Sequence, residues 1–223
     1  YRSHVNEMKS QAPKTPQGFL KAPGAIVGPQ ADVPLPQQCP DHVDFEGEIC
    51  AVIGRRCHNV QPDEARNCIA GYTLTNDVSA RDWVPEIAKA KTTPEARAAW
   101  DLNHMGKQLP AFAPLGPALV TADEVDPGNL DLTMRLNGEV MQNANTADLI
   151  FTVAETLSFF SRWYEFRPGD IVSTGTPAGV GFGRNPQVFL KDGDVVEVEA
   201  TGLGRISNRF FAEIRHIRKA ELA

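Results

Sequence analysis

The stretch Asp44-Phe45-Glu46-Gly47-Glu48-Ile49-Cys50-Ala51-Val52-Ile53 decides the fold, and it also contains closely spaced acidic residues. Apolar side chains recur at every second position, which predicts a β-strand with one buried face. Residues two apart on a strand point the same way, with Cα atoms about 7 Å apart, so Glu46 and Glu48 project together. Two like charges in a half-buried place repel and are costly to desolvate, and a bound cation would remove both costs.

Asp77 follows a second strand-like run, residues 68–75, and could bring a third oxygen ligand to the same place. A site made only of oxygen ligands suits a hard cation, Mg²⁺ or Mn²⁺ before Zn²⁺. The alternative is that Glu46 and Glu48 simply line a solvated face of the sheet. Spacing alone leaves both interpretations open.

The composition favours one turn-rich, β-rich domain, because 223 residues with 18 Gly and 17 Pro suffice for a single core. A net charge of −6 disfavours a nucleic-acid partner, which needs a basic face. No run approaches the roughly 20 apolar residues of a membrane span, and no secretory leader opens the chain. The chain starts at Tyr1 without an initiator Met, so we expect residues to be missing upstream.

The cysteines predict reduced thiols in a cytoplasmic protein. The four of them, Cys39, Cys50, Cys57 and Cys68, show neither C-x-x-C spacing nor the density of a disulfide scaffold. Cys57-His58 could start a zinc site, but no second close pair accompanies it.

The remaining elements are predicted from periodicity and turn residues. Residues 1–43 carry many of the prolines, which predicts a loop-like segment that is either disordered or a lid. We predict a helix capped by Thr93 with Pro94 at its first position, and another helix that begins at Thr146. Predicted strands cover residues 130–136, which run into a hairpin turn at Asn137-Gly138, and residues 171–174, 194–200 and 205–214.

Taken in order, the motifs of the chain resemble those of the fumarylacetoacetate hydrolase family. The motifs that carry the resemblance are Asp44-Phe45-Glu46-Gly47-Glu48, Ala51-Val52-Ile53-Gly54, Ala70-Gly71-Tyr72-Thr73, Asn76-Asp77-Val78-Ser79-Ala80-Arg81-Asp82, Pro114-Leu115-Gly116-Pro117, Leu136-Asn137-Gly138-Glu139, Arg167-Pro168-Gly169-Asp170 and Thr174-Gly175-Thr176-Pro177-Ala178-Gly179-Val180-Gly181. The resemblance implies an α+β, mainly β fold, a mixed β-sandwich roll with a few helices. It also implies a single catalytic domain over residues 1–223, with residues 1–43 as its lid segment, assembled as a homodimer.

The resemblance also assigns roles to individual residues. It implies that Glu46, Glu48 and Asp77 hold Mg²⁺ or Mn²⁺. The remaining implied site residues are the lid dyad of His4 and Glu7, the catalytic Lys107, and the substrate-binding Lys21, Arg81 and Thr176.

The implied reaction is hydrolysis of a carbon–carbon bond in a small β-diketo or 2-oxo acid such as an acylpyruvate. In that reaction His4 is the general base for water and Glu7 orients it. The same enolate chemistry also serves oxaloacetate decarboxylation and the decarboxylation or isomerisation of unsaturated 2-oxo dicarboxylic acids, which is the first alternative. The second alternative, of a different class, is a non-catalytic metal-binding regulatory module.

Two departures from the family pattern put the identity of the substrate in doubt. Many members carry a glutamine that contacts the substrate soon after the N-D-x-S-A-R-D motif, where this chain has Trp83-Val84-Pro85. The stretch 86–105 is also longer than in compact members and has a helix signal of its own.

Overall fold

The computed structural model describes residues 1–213, which are built on two five-stranded sheets with few helices. The strands are β1 (Ile26–Val27), β2 (Val33–Leu35), β3 (Val43–Asp44), β4 (Gly47–Ile53), β5 (Ile69–Asn76), β6 (Ser79–Ala80), β7 (Ala113–Thr121), β8 (Asp131–Leu136), β9 (Glu139–Asn145), β10 (Ile171–Ser173), β11 (Val195–Ala200) and β12 (Gly204–Ala212). The helices are α1 (Arg2–Glu7), α2 (Pro62–Arg66), α3 (Val84–Lys89), α4 (Thr93–Met105) and α5 (Val153–Ser161), with 3-10 turns at Pro23–Ala25 and Thr146–Asp148. The predicted mainly β fold with a few helices is confirmed.

The strand order is β1-β7-β5-β4-β10 in the first sheet and β2-β12-β11-β8-β9 in the second, with β3 and β6 as a separate pair. Neighbours are antiparallel except where β1 joins β7 and β2 joins β12. Both sheets contribute side chains to one buried apolar cluster, for example Ile49 and Leu74 from the first and Met134 and Val198 from the second. The sheets therefore cover each other's inner faces.

Strand β4 is buried on both faces, so the prediction of a half-buried strand is wrong. Its inner face points at the second sheet, because a Cβ on Gly47 would lie 3.2 Å from Val198. Glu48 points the other way and is also buried. There it lies near the phenol of Tyr1, whose pKa is raised by burial and next by Glu48 itself. Glu48 is therefore shielded from solvent and does not line a solvated face of the sheet.

The hairpin prediction is confirmed. β8 and β9 pair through Asn137 and Gly138, whose φ values are 52° and 84°. Both positive values belong to a type I′ turn, the turn that Asn-Gly favours because its twist matches the strands.

Both predicted helix starts are misplaced. Helix α4 is capped by Thr92 rather than Thr93, because the Thr92 hydroxyl accepts from the Glu95 amide and the Glu95 carboxylate accepts from the Thr92 amide. Helix α5 begins at Val153 behind the cap Thr152, which forms the same capping box with its own third residue, while Thr146 begins only a 3-10 turn. In each case the competing threonine lacks a glutamate three positions on.

Residues 1–43 are more ordered than a loop. They contain α1 and the strands β1 and β2, which join the edges of the two sheets. The predicted final strand is observed as β12, and its expected end at Ile214 lies outside the described residues. Within residues 1–213 no helix combines the length and the apolar character needed to cross a bilayer. The cysteines, as predicted, are free thiols, and all four are buried.

Candidate metal and substrate site

Three carboxylates converge where β4 begins and β5 ends. Glu46 immediately precedes β4, Glu48 is its second residue, and Asp77 immediately follows β5. The antiparallel register places Gly47 opposite Asn76, and the amide of Asp77 donates to the carbonyl of Glu46 at 2.8 Å. The side chains of all three acids are buried, and each offers an oxygen within 4.8 Å of the others.

The cluster fits a hard divalent cation. Three carboxylate oxygens within 4.8 Å of one another are close enough to bind one ion together, and carboxylate oxygens are the ligands that Mg²⁺ prefers. Within residues 1–213, Glu48 forms no ion pair, and its Oε2 accepts from the Ser173 hydroxyl and from the Gly175 amide at 3.1 Å. A buried carboxylate without a counter-charge is what a cation would stabilise. The family resemblance and this triad agree on a divalent metal but do not identify it.

Lys107 bridges two of the three acids, Glu46 and Asp77. Its buried Nζ donates to Glu46 Oε2 at 2.7 Å, to Asp77 Oδ2 at 2.6 Å and to Ser79 Oγ at 2.7 Å. An ammonium group has three donors, so all of them are used. Lys107 therefore acts on other neighbouring groups through its positive charge and not through a further hydrogen bond.

Two further cations complete the cluster. Lys21 Nζ donates to Asp77 Oδ1 and, at 3.4 Å, to the carbonyl of Val78, which leaves its third donor for another partner. Arg81 pairs with Glu46 and, through Nε at 3.0 Å, with Asp44. Counting Asp44 with the three acids of the cluster, four carboxylates face three cationic side chains. With every carboxylate ionised the net charge is −1, and a bound divalent cation would change it to +1.

The pKa values of Glu46 and Glu48 are shifted in opposite directions. Burial would raise the pKa of Glu46, but Lys107 and Arg81 outweigh it and hold that pKa well below its usual range, with a smaller contribution from His4. Burial, together with Asp77 and Glu46, raises the pKa of Glu48 to about 8. The cluster thus contains one firmly ionised ligand and one that a cation would ionise.

The predicted lid dyad forms a pair on α1. His4 Nδ1 lies 3.1 Å from Glu7 Oε2, and the amide of Gly179 donates to Glu7 Oε1 at 2.8 Å. Ser3 anchors the helix through bonds from its hydroxyl and its amide to Asp148, at 2.6 and 2.9 Å. The loop that binds Glu7 through the Gly179 amide also binds Asp44 through the Gly181 amide at 2.7 Å, which links the dyad to the acidic cluster.

Thr176 is buried and engaged with the scaffold. Its hydroxyl donates to the carbonyl of Gly47 at 3.0 Å and accepts from Gln142 Nε2 at 2.8 Å. Gln142 in turn accepts from the amide of Gly47 at 2.9 Å. The turn at Thr176 is therefore fixed to the start of β4, and the predicted substrate contact by Thr176 stays a prediction.

Asp44 is a site residue that the sequence prediction missed. It is fully buried and accepts from the amides of Phe45, Gly181 and Phe182, besides its bond from Arg81. It therefore joins Arg81 to the loop that also holds Glu7. A signal was available, because Asp44 lies two positions before Glu46 in the same alternating pattern.

The comparisons with known proteins agree on one family. Residues 1–211 match the family model described as fumarylacetoacetate (FAA) hydrolase C-terminal. A fumarylacetoacetate hydrolase domain-containing protein 2 homolog from Dictyostelium discoideum is 41% identical over 93% of this chain and 68% of its own length. The human protein named oxaloacetate tautomerase FAHD2B, mitochondrial, is 42% identical over 94% of this chain and 63% of its own length. The chain thus spans about two thirds of the length of these relatives. Because the human relative is named as mitochondrial, the predicted cytoplasmic location is not confirmed.

Solved structures give the same result. A fumarylacetoacetate hydrolase from Exiguobacterium antarcticum has a TM-score of 0.78 and 36% identity, over 87% of this chain and 66% of that one. A 5-carboxymethyl-2-hydroxymuconate delta-isomerase from Mycobacterium smegmatis has a TM-score of 0.78 and 35% identity, over 96% and 76%.

Proposed function

The chain belongs to the fumarylacetoacetate hydrolase family, and from that membership we propose that it is a metal-dependent enzyme that moves a proton on a small 2-oxo dicarboxylic acid. The specific reaction that we propose is keto–enol tautomerisation of oxaloacetate. The observation that carries the proposal is the match over 94% of the chain to a relative named for that reaction. Hydrolysis, which the sequence led us to favour, has less support, because similar solved structures bear both hydrolase and isomerase names, whereas curated relatives at 41–42% identity are named oxaloacetate tautomerases.

The charges of the site support a small anionic substrate. Lys21 keeps a donor for an incoming carboxylate, and Arg81 and Lys107 hold the acids in place. A divalent cation held by Glu46, Glu48 and Asp77 would act as a Lewis acid on the 2-oxo group.

The proton transfer is assigned to the lid dyad. We assign to His4 the removal of a proton from C3 of the keto acid. The electrons of that C–H bond then form the C2–C3 double bond, the π electrons of the C2–oxygen double bond move onto the oxygen, and the protonated His4 returns its proton to that oxygen. Glu7 holds the imidazole in place, because the Gly179 amide fixes Glu7 in turn. The charge of Lys107 favours the negative charge that develops on oxygen.

Hydrolysis of an acylpyruvate is the second candidate, and the His4–Glu7 pair is the observation that favours it. The same pair could take a proton from water instead of from carbon. The two reactions differ in their products, since hydrolysis breaks a carbon–carbon bond and tautomerisation breaks none.

A substrate panel followed by NMR tests the proposal. We would incubate the chain and Mg²⁺ with oxaloacetate in D₂O, and separately with an acylpyruvate and an unsaturated 2-oxo dicarboxylic acid. We expect faster deuterium exchange at C3 of oxaloacetate without its cleavage, and loss of that exchange in Glu46→Gln but not in the control Glu86→Gln, an exposed glutamate. Rapid cleavage of the acylpyruvate with no exchange on oxaloacetate would overturn the proposal in favour of hydrolysis.

A further inference from the structure

A short strap, Phe19-Leu20-Lys21-Ala22, carries Lys21 over the acidic cluster. The strap has no helix or strand of its own, and Leu20 is 72% exposed. The side chain of Lys21 is only 21% exposed, because it turns inward to Asp77. An irregular segment with exposed apolar residues needs contacts from elsewhere to keep one conformation.

Gln108 supplies such contacts on both sides of Lys21. Its side-chain Nε2 donates to the carbonyl of Leu20, and its Oε1 accepts from the amide of Ala22. One side chain therefore holds the backbone immediately before and after the lysine. Among side chains of this length, only a glutamine amide provides a donor and an acceptor side by side.

Helix α4 holds the same strap from the outside. The ring of His104 stacks on Phe19 with centroids 5.8 Å apart and planes at 22°, and Trp100 lies against His104 at 5.9 Å. On the inner side, Lys107 Nζ lies 5.1 Å from the centroid of the Phe19 ring. The stretch from Trp100 to Gln108 thus contacts the strap at three points.

We propose that Gln108 is the positioning residue for Lys21, and that residues 104–108, at and after the end of α4, form a latch that holds the strap over the acidic cluster. In this arrangement Gln108 touches neither the acids nor the substrate and acts through the lysine. The role of Lys21 toward substrate rests on the proposed function. The contacts that hold the strap do not depend on that function.

Hydrogen exchange at the amide of Ala22 tests the latch directly. Gln108→Met keeps the length of the side chain but removes both hydrogen bonds, so we expect this amide to exchange about three- to tenfold faster. Gln30→Leu, at an exposed turn, is the matched control and should leave the amide unchanged. Amides of β5 serve as the internal reference for global unfolding. Unchanged exchange at Ala22 in Gln108→Met would overturn the proposal.

A double-mutant cycle tests whether Gln108 acts through Lys21. We expect Lys21→Met to lower kcat/KM about 10- to 100-fold and Gln108→Met to lower it less, mainly by raising KM. The double variant should be no worse than Lys21→Met alone, because the lysine is the only route for the effect. Additive losses would show that Gln108 acts independently and would contradict the proposal.

The two proposals fail in different ways. If the parent chain does not act on oxaloacetate, the proposed function is wrong, and the exchange of Ala22 still decides the role of Gln108. If the parent chain is active and Gln108→Met leaves both exchange and KM unchanged, only the latch is wrong.

Discussion

The ammonium nitrogen of Lys107 lies 2.6 Å from Oδ2 of Asp77, and both residues are buried. Burial acts to lower the pKa of Lys107, but Asp77 and Glu46 outweigh it, so the pKa is raised and the lysine stays charged. This charge compensates two of the three acids of the cluster. The third, Glu48, is the one that a cation would stabilise most.

Replacing Lys107 should destabilise the metal-free protein. Lys107→Met removes the counter-charge that Glu46 and Asp77 share but leaves Arg81 and Lys21 beside them, so we expect a loss of about 1–3 kcal/mol. Urea unfolding in a chelator should show this loss, and saturating Mg²⁺ should recover most of it, because the cation neutralises the same carboxylates. The control Lys89→Met, 69% exposed, should change the free energy of unfolding by less than about 0.5 kcal/mol. An equal loss with and without Mg²⁺ would contradict this explanation.

Glu48 should make the metal-free protein less stable as pH rises. Its pKa is about 8 in the fold, against an ordinary value of about 4.3 in the unfolded chain, so the folded state binds an extra proton between these values. The free energy of unfolding therefore falls as pH rises from 5 to 8. We expect Glu48→Gln to reduce that fall by at least about 1.4 kcal/mol, the equivalent of one pKa unit.

Urea midpoints at pH 5 and pH 8 in a chelator measure this difference. With Mg²⁺ present the parent should lose the trend, since the cation binds the ionised carboxylate. If the parent and the Glu48→Gln variant have the same pH dependence in the chelator, the pKa of Glu48 is not raised in the fold and the prediction is wrong.

His4→Asn should separate proton transfer from metal binding. Removal of a general base lowers kcat by about 10²- to 10⁴-fold, whereas the three acids remain in place. Calorimetric titration with Mn²⁺ should therefore give a Kd within about threefold of the parent. His58→Asn, at an exposed histidine whose ring contacts the carbonyl of Tyr164, is the control. A loss of Mn²⁺ affinity equal to the loss of kcat would place His4 in the metal site instead.

Gly183→Ala should impair the lid dyad with little effect on folding. A Cβ at this position would lie 2.6 Å from Cδ of Glu7, at the flexible end of that side chain. We expect kcat to fall about tenfold, equivalent to about 1.4 kcal/mol, as Glu7 shifts away from His4. Gly28→Ala, whose added carbon meets nothing within 4 Å, should retain full activity. Unaltered kcat in Gly183→Ala would argue that the exact position of Glu7 is unimportant.

The features predicted correctly from the sequence are those that depend on local rules and on the order of the motifs. Alternation and the Asn137-Gly138 turn gave the strands and the hairpin, because these depend on neighbours within a few residues. The helix starts at Thr92 and Thr152 also follow a local rule, because each threonine forms a capping box with the glutamate three residues later, Glu95 and Glu155.

Long-range contacts explain what the sequence could not show. Alternation predicted that Glu46 and Glu48 project together but could not show that Glu48 is buried against Ser173 and Gly175. In the same way, Lys107 shares its charge between Glu46 and Asp77, which are 61 and 30 residues away. Gln108 belongs to none of the motifs in the sequence, and its contacts with the strap form only in the folded chain. Segments so distant in sequence meet only through tertiary packing.

The most direct test of the central claim is the rate at which the enol form of oxaloacetate becomes the keto form, followed by ultraviolet absorbance. The claim is that Glu46, Glu48 and Asp77 hold a divalent cation on which this tautomerisation depends. We predict that the chain accelerates the conversion with Mg²⁺, that a chelator abolishes and added Mg²⁺ restores the acceleration, and that Glu46→Gln lowers it by about 100-fold or more. An acceleration that is equal with chelator and with Mg²⁺, or none under either condition, would contradict the claim.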